Sequence, residues 1–85
     1  MKYEDFVLDC YRKVLEEVPG EFEAALDARV GKAPGLDSLG LVNLMIEIEE
    51  GLHISLETVL IDIRKSQTLA DIVPLVEKVC KEVEV

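Results

Sequence analysis

Tyr3, Phe6, Val7, Cys10, Tyr11, Val14, Leu15 and Val18 recur at steps of three and four, and Glu4, Asp5, Asp9, Arg12, Lys13, Glu16 and Glu17 fill the gaps. Residues three and four apart share one face of an α-helix, so the chain is constrained to open with an amphipathic helix. Pro19-Gly20 stops it, because proline donates no backbone hydrogen bond and glycine tolerates the left-handed backbone of a helix end. The same period returns in Leu41, Leu44, Met45, Ile48 and Leu52, predicting a second helix over residues 38–50 with Gly51 as its stop. Leu39, Val42 and Ile46 form a second apolar line on that helix, which leaves it apolar over more than half its circumference. A partner other than the core is the natural user of that line.

Between the first two helices the signal weakens. Phe22, Leu26 and Val30 recur every four residues, but Gly31, Pro34 and Gly35 interrupt them. Residues 21–37 therefore read as a long loop with room for one helical segment over 21–28, and long loops are often functional. Residues 53–56 read as extended, although a strand over 52–56 would lack a partner. Val59, Leu60 and Ile63 predict a short helix over 57–63, followed by a polar connection over 64–67. Thr68-Leu69-Ala70-Asp71 has the form of a capping box, and Leu69, Ile72, Val73, Val76, Val79, Cys80 and Val83 mark the last helix. Pro74 conflicts with a start at Leu69, since beyond the first turn it removes a hydrogen bond at a cost of about 3 kcal/mol. Either that helix kinks or it starts at Asp71, which would bring Pro74 into the first turn.

These elements make an all-α chain: three long helices, one short one and a long first loop, closing as a four-helix bundle. Its 85 residues allow one domain, residues 1–85, with function carried on the outside of a small core. The expected core is Phe6, Cys10, Val14, Leu41, Leu44, Ile48, Leu52, Leu60, Ile72, Val76 and Val79. Eighteen acidic against nine basic residues give a charge of −9, which repels nucleic acid and anionic lipid and favours partners with basic patches. The N-terminus turns acidic at once, so it reads as neither a secretory signal nor a membrane span, and a cytoplasmic monomer is expected. In that compartment Cys10 and Cys80 are expected as reduced thiols in or near the core.

The residues at the second helix start carry the functional signal. Gly35-Leu36-Asp37-Ser38-Leu39 stands at a loop-to-helix junction, followed by Val42 and Leu44, by Ile48-Glu49-Glu50 and Ile54, and by Thr68-Leu69-Ala70-Asp71-Ile72-Val73. With its acidic charge, the chain resembles the acyl carrier proteins over nearly its whole length. The resemblance implies that a separate transferase attaches 4′-phosphopantetheine from coenzyme A to Ser38, and that the arm's thiol carries acyl groups as thioesters. It implies that Asp37 serves recognition by the phosphopantetheinyl transferase. It also implies docking of acyl-activating, condensing or acyl-transfer enzymes on Leu39, Val42, Asn43, Ile46, Glu47, Glu49, Glu50, Glu57 and Asp62, in fatty-acid, polyketide or related lipid biosynthesis. Departures from the family pattern are Gly40 and Asn43 where acids are common, Lys32-Ala33 for an acidic pair, Pro34 for an aliphatic residue and His53 for a glycine. Together they point to a specialised carrier with its own enzymes.

A helix N-terminus suits this role, because its free N–H groups and positive dipole end favour the phosphodiester, although Asp37 repels it. The plain alternative is that Ser38 merely caps the helix. Ser55 and Ser66 lack the flanking Asp and Leu and read as turn or cap residues. Other functions stand beside the acyl carrier: a peptidyl or aminoacyl carrier, or an unmodified adaptor binding through the second helix. Catalysis by Ser38 or Cys10 is disfavoured, since a serine nucleophile needs a base in hydrogen-bond reach and His53 lies beyond the helix's far end. No phosphate loop, His-x-x-x-His pair or calcium loop is present, so no metal is expected.

Overall fold

The computed structural model describes residues 3–83. Four helices follow one another: α1 (Tyr3–Glu16), α2 (Ser38–Leu52), α3 (Leu60–Lys65) and α4 (Leu69–Val83), with a 3₁₀ turn (Glu57–Val59) leading into α3. α1 packs against α2 and α4, and α4 also packs against the 3₁₀ turn and α3. The core between them holds Val7, Cys10, Tyr11, Val14 and Leu15 from α1, Leu41, Leu44 and Ile48 from α2, and six residues of α4 from Leu69 to Cys80. Leu36, Leu56, Val59 and Ile63 complete it. Of the expected core, Phe6, Leu52 and Leu60 are only half-buried. Val83 is exposed, at 61%.

The long first loop is present as expected, but the helical segment it had room for is not. Residues 21–28 form no helix, because their carbonyls are used elsewhere: Leu26 O accepts from Ala70 N (2.9 Å) and Ala28 O from Leu69 N (2.9 Å). A helix leaves its first N–H groups without internal partners, and here the loop supplies them for α4. Val30 N donates to Gln67 O (3.0 Å), and Arg29 and Thr68 form an isolated antiparallel bridge, the only strand-like pairing among the described residues. The Tyr11 hydroxyl donates to Pro34 O at 2.6 Å, tying the loop's other end to α1.

Two helix ends differ, and the open start of α4 is decided. α2 continues through Gly51 and closes at His53, whose φ of 54° is left-handed and whose N–H bonds back to Glu49 O. Histidine is among the residues enriched at such backbone angles. Gly51 instead lies against the Phe6 ring, where a β-carbon would collide. α3 runs on to Lys65, shortening the polar connection. α4 starts at Leu69, so a start at Asp71 is wrong and Pro74 sits inside the helix. Pro74 is exposed, so water can reach the backbone carbonyl that its missing N–H leaves free. The Asp71 carboxylate accepts from Gln67 N (3.0 Å) and Thr68 N (3.2 Å), the acidic half of a capping box.

Candidate functional site

Ser38 is the first residue of α2, and Asp37, not Ser38, is the cap. Asp37 has extended backbone (φ −69°, ψ −178°), its Oδ1 accepts from Gly40 N at 2.8 Å, and its carbonyl accepts from Leu41 N at 2.8 Å. The amides of Ser38 and Leu39 precede the first internal bond of α2 and have no helical partner. Ser38 is exposed, and its hydroxyl makes no hydrogen bond among the described residues. The loop holds this junction tightly: Leu36 is fully buried, and Gly31 N donates to Leu36 O at 2.7 Å. The carbonyl of Gly35 presses against Gly40, leaving no room there for a β-carbon. Gly40 is therefore demanded by packing.

Leu39 (69% exposed), Val42 (39%) and Ile46 (44%) run along the outside of α2 as an uncovered apolar line starting beside Ser38. Ile61 on α3, 67% exposed, is a further uncovered aliphatic residue that sequence reasoning missed. The signal was present, since residues 59, 60, 61 and 63 are all apolar and so short a helix cannot bury them all. Asn43, Glu50, Glu57 and Asp62 are exposed. Two acids are engaged within the chain: Glu47 lies 3.9 Å from Lys13 of α1, and Glu49 Oε2 accepts from Leu56 N at 2.7 Å. Ser55 and Ser66 make local backbone contacts, to Glu57 N and Asp62 O respectively.

Two grooves, each of about 480 Å³, flank the start of α2. One is lined by Ser38, Leu36, Leu41, Val42, Met45 and Arg64, and the other by Glu17, Pro34, Leu39, Gly40 and Asn43, with Asp37 on both. A third, of about 340 Å³, continues along α2 from Val42 and Met45 to Glu49, Leu56 and Leu60.

His53 closes the far end of α2, and a helix of that length spans roughly 20 Å, too far to activate Ser38. Cys10 and Cys80 are free thiols buried in the core. Burial pushes the Cys10 thiol from 9.0 up to about 11, with Lys13 pulling against it and Glu47 and Asp9 adding to the rise, so it is a poor nucleophile. No cluster of His, Cys, Asp or Glu able to hold a metal occurs among the described residues. No described helix is long and apolar enough to cross a membrane. No protein-family model, curated protein or solved structure matches the chain.

Proposed function

We propose that the protein is a carrier, a chain that bears a covalently tethered group and presents it to other proteins. Within that class it is an acyl carrier protein with 4′-phosphopantetheine on Ser38. The observation that carries this reading is an exposed, unbonded serine hydroxyl at the first position of α2, with an uncovered apolar line beginning beside it.

The residues present fit the group. Asp37 takes over the capping, which leaves the Ser38 hydroxyl available and two helical amides free for a phosphodiester. Attachment forms a bond from Ser38 Oγ to phosphorus, releases the nucleotide part of coenzyme A and passes the serine proton to the transferase. Asp37 is committed to capping and no histidine stands near Ser38 among the described residues, so the modifying enzyme supplies the base. When attached, the arm supplies a thiol that holds acyl groups as thioesters. The chain contributes position: Leu36 and the Gly35–Gly40 contact fix the start of α2, and Leu39, Val42 and Ile46 offer apolar area to an enzyme. The charge of −9 steers basic partners to that surface.

Incubation with coenzyme A and a broad-specificity phosphopantetheinyl transferase, read by intact mass, tests this. One phosphopantetheine should be added to the native chain and none to Ser38→Ala. Failure of the native chain to gain mass would overturn the carrier reading in favour of an unmodified adaptor using the same apolar line. A gain that survives Ser38→Ala would overturn the site.

A further inference from the structure

Ser38 opens onto only one of the two grooves at the start of α2, and that groove contains one cation, Arg64. The groove on the α1 side carries Glu17 and Asp37 and no basic residue. Arg64 makes no ion pair or hydrogen bond among the described residues. The positions three and four before it on α3 are Ile61 and Leu60, and Asp62, two positions before it, does not face it. Asp37 is the one acid lining its groove, and one of that carboxylate's oxygens already accepts from Gly40 N.

We infer that Arg64 holds the phosphodiester of the arm on Ser38 and thereby directs the arm over the α3 side of α2; this rests on the carrier reading. A phosphodiester has two unesterified oxygens sharing one negative charge, the pattern that a guanidinium fork binds with paired hydrogen bonds. Asp37, a like charge beside the attachment point, opposes the phosphate, and Arg64 offsets it. The apolar walls of this groove, Leu41, Val42 and Met45, continue into the groove ending at Glu49 and Leu56. An arm drawn to Arg64 therefore enters an apolar track, whereas one on the other side meets Glu17.

The test compares nitrogen-15 spectra of the isotope-labelled full chain before and after conversion, with intact mass verifying the product. In the native chain the Arg64 Nε–H signal should shift, together with the amides of Val30, Gly31 and Met45. In Arg64→Gln the shifts at Val30, Gly31 and Met45 should be lost, while Arg64→Lys, which keeps the charge, should retain them in part. A complete mass gain with the same shifts in Arg64→Gln as in the native chain would overturn the role of Arg64 and leave the carrier reading standing. So would shifts confined to Glu17, Ala33 and Asn43. Absence of any mass gain would overturn both.

Discussion

Gly40 is held between a backbone carbonyl and a cap: a β-carbon there would run into Gly35 O and lie 2.8 Å from Asp37 Oδ1. Neither obstacle is the loose end of a flexible side chain, so Gly40→Ala must displace the loop that carries Asp37. The expected cost is about 3 kcal/mol, the upper end for overpacking. Asn43→Ala, on the exposed side one turn on, should stay within about 0.5 kcal/mol. Urea midpoints compare the two, and equal values would remove the steric account. Cys10 gives a prediction in pH. Its thiol ionises near 9.0 when unfolded and near 11 when folded, so the folded state binds the proton more tightly. Its contribution is complete below about pH 9 and is lost as pH rises towards about 11. Burial also raises the Tyr11 phenol, which deepens the alkaline loss. Cys10→Ala should flatten the fall in urea stability over this range without abolishing it, and an unchanged slope would rule out the thiol as its source.

At the scale of elements, both ends of α2 and the start of α4 are closed by named residues. α2 begins on Asp37 and ends on His53, and α4 begins on Asp71 together with the carbonyls of Leu26 and Ala28. Asp71→Ala removes an acceptor for two amides and a negative charge from a helix N-terminus, so it should cost about 1 kcal/mol. Asp71→Asn, which keeps an acceptor, should recover most of that. Both are read from urea midpoints at constant slope. Because the loop feeds its carbonyls to α4, weakening this end should also loosen residues 26–30, visible as faster amide exchange at Leu69 and Ala70.

Across the whole molecule, charge is poorly compensated. The described ion pairs, Arg12 with Asp9, Lys13 with Glu47 and Lys81 with Glu77, are largely exposed and worth little, against a net charge of −9. Salt weakens the pairs slightly and the self-repulsion more, so the melting temperature should rise with added sodium chloride. A flat or falling response would show that repulsion is not a significant term. The same charge leaves α2 and α3 with exposed acids around the apolar line, a surface suited to basic partners.

The sequence by itself determined the four helices, most of the core and the place of Ser38, because period and turn chemistry are local properties. It set Val14, Leu44, Ile48 and Val76 inside, and left Leu39, Val42 and Ile46 on a second line that is indeed uncovered. It misplaced the stop at Gly51, and it left open a helical segment over 21–28 and the start of α4, each of which turns on a contact distant in the chain. Leu26 and Ala28 stay out of a helix and give their carbonyls to α4, and Gly51 lies against Phe6. Spacing could not show that Glu49 is engaged with Leu56, or that Arg64 shares a groove with Ser38. Only the tertiary structure decided these points, since side chains far apart in sequence meet only when helices pack.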